Sequence, residues 1–187
     1  MMIKFFLFIA LSFSLSHAYD GKWGEHYEVP KYMAIATIGT SLVMGNNSRF
    51  GKTAWESFDA LWMSALATEA IKKSVQRVRP RDADKYDDQW FQSGNQSFPS
   101  GHVSSVTAMV TPFILEYQKD SYWYHLLWLL PAQQMMGRMQ EDAHYPTDVA
   151  AGFALGFASG YFAHSLDVPL LLQWKDGGVY AGVDIDF

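Results

Sequence analysis

Phe98-Pro99-Ser100-Gly101-His102 runs directly into the apolar stretch from Val103 to Leu115. A proline, a serine able to cap, then glycine and histidine read as the entry and first turn of a buried helix. Such a turn is an anion site. Its backbone N–H groups have no partner inside the helix, the positive end of the dipole points outward, and glycine lets a ligand approach the backbone closely. Ser100 adds a hydroxyl, and His102 stands at the mouth. The same five residues also fit an ordinary serine-capped helix with an incidental histidine, so the flanking segments decide.

Upstream, Tyr32 to Met44 is an apolar run closed by Gly45-Asn46-Asn47-Ser48, which predicts a short helix. A second helix is expected from about Thr53 to Val78. It has an apolar stripe of Leu61, Leu66 and Ala70, carries Glu56, Asp59 and Glu69, and stops at Pro80. Lys72 and Arg79 lie two helical turns apart in it, which sets both cations on nearly the same face. Arg81 to Gln96 is polar and reads as a loop. Downstream, Tyr122 to Met139 reads as a helix kinked or interrupted at Pro131, and it delivers Arg138. Proline is favoured at a first helical position, so a last helix is expected from Pro146 through the run to Ala163. His144 then sits just outside a helix N-terminus, with Asp148 in the first turn and able to reach back to the imidazole.

The 187 residues suffice for one domain with its own core, and the absence of cysteine excludes disulfides, thiolate metal sites and a thiol nucleophile. Residues 1–18 have Lys4, an apolar run from Phe5 to Phe13, and Ser16-His17-Ala18. That is the pattern of an export signal, too short to span a bilayer. The mature chain is expected to begin near Tyr19 and to act in the periplasm or cell envelope. An uncleaved anchor or a form integral to the inner membrane is the alternative. Removal of residues 1–18 leaves 13 basic against 19 acidic residues, with no basic face to attract nucleic acid. Charges within the other helices and a mean hydropathy of −0.07 favour a soluble bundle; only Val149 to Leu166 approaches the length of a membrane span. Val168 to Trp174 and Val179 to Phe187 read as strands joined through Lys175-Asp176-Gly177-Gly178. The expected organisation is an export signal over 1–18, a helical domain over 19–167 and a β-hairpin extension over 168–187. Such a hairpin would pack on the bundle, on a second subunit or on a membrane surface.

Three segments therefore supply Lys72 and Arg79; Ser100, Gly101 and His102; and Arg138, His144 and Asp148. Three cations and a set of helix-mouth N–H donors suit one tetrahedral anion, stabilising a transferring phosphoryl group without a metal. Two histidines divide the remaining work: one attacks phosphorus, and the other protonates the leaving oxygen and then activates water. An aspartate fixes the tautomer of the attacking ring.

Lys72-x6-Arg79-Pro80, Pro99-Ser100-Gly101-His102 and Arg138-x5-His144-x3-Asp148 together resemble the three-part signature of the phosphatidic acid phosphatase type 2 superfamily. That family takes in class A non-specific acid phosphatases, integral membrane lipid phosphatases and vanadium-dependent haloperoxidases. The resemblance covers roughly residues 72–148. One position departs, since Gly137 stands where serine usually precedes the arginine. The resemblance implies an all-α helical bundle with the site at one end and no metal or cofactor. It implies His144 as the nucleophile forming a phosphohistidine, Asp148 orienting it, and His102 as general acid and then base. Lys72, Arg79, Ser100, Gly101 and Arg138 would bind the phosphate. The implied substrate is a phosphate monoester or terminal phosphate, on a lipid or a small soluble molecule, with peripheral membrane contact and self-association both open.

Other readings compete. The same cradle would hold vanadate, although nothing in the chain supplies a redox environment, and the scaffold could bind phosphate without catalysis. His102, His144 and Asp148 could instead bind a metal, but no third strong ligand has suitable spacing. Ser100 lacks the flanking glycines of a nucleophile elbow. His26, His125 and His164 have no partner in the pattern, and Arg77 and Arg81 read as solvated charges beside the site. Met135, Met136 and Met139 read as core filling, and Trp55, Trp62, Trp123 and Trp128 as either core or an interfacial belt.

Overall fold

The computed structural model describes residues 29–44, 48–166, 172–175 and 178–181. The expected export signal and the turn over 45–47 lie outside the described residues. Among the described residues five helices make the fold: α1 Val29–Met44, α2 Arg49–Val75, α3 Gly101–Tyr117, α4 Leu129–Gln140 and α5 Pro146–Ser165. Short 3-10 segments at Pro80–Lys85 and Tyr122–Trp128 lead on from α2 and into α4. Among the described residues, no helix is long and apolar enough to cross a membrane.

The ends of α2 differ from expectation for local reasons. Ser48 caps it, its Oγ accepting the Gly51 N–H at 3.0 Å, so the helix starts before Thr53. It closes at Val75 and not at Pro80, because Gln76 adopts a left-handed conformation (φ 46) and returns its N–H to the Lys72 carbonyl. Loop residues then take over the pairing: Phe91 N–H bonds the Val75 carbonyl, Gln92 N–H that of Gln76, and Val78 N–H that of Gln89. Arg79 is therefore off the helix, and no shared helical face aligns it with Lys72. The break between Tyr122 and Met139 falls at Trp128–Leu129, while Pro131 sits in the first turn of α4, where its missing N–H costs nothing.

Around α3, the larger core cluster joins Met33 of α1 to Val106, Met109, Val110, Ile114 and Tyr117, and to Tyr124, Leu127 and Leu130. The seam of α2, α3 and α5 is of another kind. The face of α2 buried in this seam is Ser57, Ala60, Ser64 and Thr68; of the expected stripe, Leu61 packs partly buried against the larger core, while Leu66, 65% exposed, and Ala70 point outward. Small residues are needed there because the backbones come close. A Cβ built on Gly152 would lie 2.5 Å from the Ser100 carbonyl oxygen, one on Gly156 2.3 Å from that of Ser104, and one on Gly160 2.5 Å from the Thr111 Cβ. Most hydroxyls in the seam are paired: Ser57, Thr107 and Thr111 bond the preceding turn, and Thr68 bonds Ser104 across helices at 2.9 Å, while the buried Ser64 Oγ has no partner among the described residues. Trp55 is core, Trp62 and Trp123 are exposed, and Met136 is also exposed, which splits the tryptophan set and removes part of the expected methionine filling.

α3 and α5 begin at one pole of the bundle, where α2 ends. At the other pole, Glu56 is buried and accepts from His164 Nδ1 at 2.8 Å, while Arg49 bridges Glu116 and Asp120. Burial pushes the Glu56 carboxyl above its ordinary range, more than His164 and Lys52 draw it down. A raised carboxyl pKa contributes stability below the unfolded value that is lost as pH rises. Glu56→Gln is thus expected to raise the thermal midpoint at pH 7 and to lose that advantage at pH 4, read by melts at both pH values.

β1 Leu172–Lys175 and β2 Gly178–Ala181 pair antiparallel, with Leu172 opposite Ala181 and Lys175 opposite Gly178. The rest of 167–187 lies outside the described residues, and this short ladder does not support the expected hairpin as a unit of the fold. The fold that is established is helical.

Candidate active site

The three sequence segments meet at the pole where α3 and α5 begin. Ser100 N–H bonds the Asp148 carbonyl at 2.9 Å, tying the two helix entries together. Gly101 faces the end of α2, so that a Cβ there would touch Thr68 Cγ2 and Lys72 Cε at 3.6 and 3.7 Å. Lys72 Nζ donates to the Gln96 carbonyl at 2.8 Å. The loop after α4 folds back on the helix end, with Ala143 and His144 N–H groups both on the Arg138 carbonyl, and Arg81 N–H bonds Asp142 to join the first segment to the third. Arg79 precedes the Pro80 turn in extended conformation. Arg138 is buried and pairs with Glu141 at 2.5 Å. His102 is half-buried in the first turn of α3.

Ser100 stands at the N-cap position, yet its hydroxyl caps nothing. Its Oγ is buried and makes no hydrogen bond among the described residues. A buried hydroxyl in that condition costs free energy unless something binds it. Among the described residues, no group of three His, Asp or Glu side chains is placed to hold a metal ion.

His144 is 3% exposed, and its Nδ1 lies 2.7 Å from the Ser97 carbonyl oxygen. A carbonyl only accepts, so Nδ1 carries the proton and Nε2 carries the lone pair. Asp148 Oδ2 is 3.7 Å from the same nitrogen, too far for a hydrogen bond, and it acts on the ring through its charge. The expected direct aspartate–imidazole bond is thus replaced by a backbone carbonyl. Burial is the main cause that lowers the His144 pKa below the ordinary 6.5; Asp148 opposes it, and Arg79, Arg138 and Lys72 add to the depression. Lys72 is likewise drawn down, by burial first and then by Arg79, which sets these cations in one electrostatic neighbourhood. Burial pushes the Asp148 carboxyl up, but the His144 ring, the Ser97 hydroxyl, the Tyr145 N–H and Arg77 together hold it below its usual range.

Two functional neighbours escaped the sequence reading. Ser97 is fully buried; besides holding His144 by its carbonyl, it donates Oγ to Asp148 Oδ2 at 2.6 Å. Arg77, expected to be solvated, is 7% exposed and bonds Asp148 Oδ1 at 2.6 Å and Thr147 Oγ1 at 2.7 Å. Nothing in the residues around Arg77 signals this, because its neighbours come from distant segments. Arg81, by contrast, is exposed as expected.

The family model described as PAP2 superfamily matches residues 54–169, a stretch that contains every residue of this constellation. The lipid A 1-phosphatase of Rhizobium etli is 33% identical over 112 residues, covering 57% of this chain and 45% of the relative. That of Rhizobium johnstonii is 32% identical over 105 residues, covering 53% and 41%. That of Porphyromonas gingivalis is 26% identical over 151 residues, covering 76% and 31%. The chain thus spans less than half the length of each of these curated relatives. No solved structure matches the chain.

Proposed function

The chain belongs to the PAP2 superfamily, and from that membership we propose that it is a phosphatase acting on phosphate monoesters or terminal phosphates through a phosphohistidine on His144. The observation that carries the proposal is the fixed tautomer of a buried, neutral imidazole beside three cations. Lys72, Arg79 and Arg138, the first-turn N–H groups at Gly101, and the unsatisfied Ser100 hydroxyl bind the phosphoryl oxygens. His144 Nε2 forms a bond to phosphorus as the P–O bond of the ester breaks, and His102 gives its proton to the leaving oxygen. His102 then takes a proton from water, whose oxygen attacks phosphorus while the P–N bond breaks. The Ser97 carbonyl and the Asp148 charge stabilise the positive ring in between. None of these steps calls on a metal.

The relatives' names speak of lipid A 1-phosphatases, which makes a lipid phosphate the first substrate to try and a small soluble ester the second. In this reading residues 19–167 are the catalytic unit and 168–187 an appended extension, and the protein is exported to the envelope. The test is phosphate release from a detergent-solubilised lipid phosphate and from a soluble aryl phosphate, both in chelator. Release is expected to survive the chelator; its loss there, restored by added metal, would overturn the mechanism. Because His144 is held below pH 6.5 in its ionisation, the nucleophile stays neutral into mild acid. The acid limb of kcat/KM, after allowance for the ester's own ionisation, is expected below that pH.

A further inference from the structure

Both oxygens of Asp148 are already engaged. Oδ1 takes Arg77 Nη1 at 2.6 Å, and Oδ2 takes the Ser97 hydroxyl at 2.6 Å and the Tyr145 N–H at 3.0 Å. This engagement holds the carboxylate 3.7 Å from the imidazole. Arg77 grips the other support of the ring too, since its backbone carbonyl accepts the Ser97 N–H at 2.8 Å, and the Ser97 carbonyl takes the His144 proton. The guanidinium itself is clamped between two rings, Trp90 at 4.2 Å and Tyr145 at 3.9 Å. Trp90 belongs to a loop whose Tyr86 and Phe91 are exposed, and its ring meets Phe98, next to the α3 entry.

We propose that Arg77 is a positioning residue that holds Asp148 off the attacking imidazole and couples the aromatic loop over 86–91 to that ring. The inference rests on the phosphohistidine reading of the site. Its physical content is a balance of charge. An aspartate bonded directly to His144 would raise its pKa and shrink the neutral fraction able to attack phosphorus in mild acid. With one carboxylate oxygen on a guanidinium, the negative charge is shared and the ring stays neutral on its carbonyl. Stacking between two rings fixes the plane of the guanidinium, so a lysine would keep the charge and lose the geometry. Acting on the pair besides Arg77 are Lys72 on α2, Arg79, Arg138 on α4, the Ser97 hydroxyl and the Tyr145 N–H, all unchanged by a substitution at Arg77.

The test compares Arg77→Gln and Arg77→Lys with wild type, reading kcat, KM and the pH profile with the preferred ester. Arg77→Gln is expected to lower kcat on the order of 10²-fold with little change in KM, and to move the acid limb to higher pH. Arg77→Lys is expected to hold the limb near wild type while recovering only part of kcat. An unmoved limb in folded Arg77→Gln, or a loss confined to KM, overturns the proposal. Trp90→Leu strips one ring from the guanidinium and covers the case in which Arg77→Gln does not fold. It is expected to shift kcat and the limb in the same direction by less, and no shift in the folded variant overturns the coupling. If wild type releases no phosphate, or His144→Ala releases it undiminished, the phosphohistidine reading itself fails; active wild type with an unmoved limb ends only this inference.

Discussion

His144→Ala is expected to lower kcat by about 10⁴-fold or more, a loss of the size seen when a nucleophile is removed from a unit that acts together. What remains would come from the cradle alone, which binds and polarises the ester without offering a bond to phosphorus. The variant leaves the Ser97 carbonyl without its donor at a fully buried position, so a small stability cost of about 1 to 2 kcal/mol accompanies the change. A melt distinguishes that cost from unfolding. Chemical trapping gives the positive side of the test. Wild type quenched during turnover in base should retain labelled phosphate, which acid should release, because a phosphoramidate is labile in acid. His144→Ala should trap none, and a trapped phosphate that survives its removal would assign the nucleophile elsewhere.

Gly156→Val is expected to destabilise the fold by about 3 kcal/mol or more, a fall of about 10 °C in the thermal midpoint for a chain of this size. The added Cβ would meet the Ser104 carbonyl oxygen at 2.3 Å, the Thr107 Cβ at 2.7 Å and the Ala108 nitrogen at 3.0 Å. Two of these are backbone atoms of α3, so relief requires α3 and α5 to separate. Gly101→Ala provides the contrast: its Cβ would meet only side-chain atoms at 3.6 Å and beyond, and its midpoint should stay close to wild type. A Gly156→Val midpoint equal to that of Gly101→Ala would mean the seam is far looser than the structure has it.

Much of the bundle could be read from the chain because its signals are local. Pro146 marks the start of α5, the Pro99 turn that of α3, and the three motif segments meet as their residue types suggested. What could not be read depends on partners far along the sequence. Pro80 is the visible stop after α2, but Gln76 ends the helix earlier, aided by backbone bonds from residues 91 and 92. Arg77 has the composition of a surface residue and is buried only because Trp90 and Tyr145 close over it. The partner of His144 is a main-chain carbonyl, which no residue letter announces. The stripe on α2 held at Leu61 and misled at Leu66 for another reason: the face turned to the seam carries Ser57, Ala60, Ser64 and Thr68, small residues where a leucine would be expected.

Glycines four residues apart at 152, 156 and 160 seat α5 so closely on α3 and its entry that a side chain at any of the three would strike a carbonyl or a Cβ there. The pole that carries Ser100 and Asp148 is in that sense an anvil, set before any substrate arrives. Diversity in what is struck upon it has to be written in a segment the seam does not fasten, the polar loop over 82–96. On the proposed function, exchange of that loop would change which ester is taken while Ser100 and Asp148 stay where the helix entries put them.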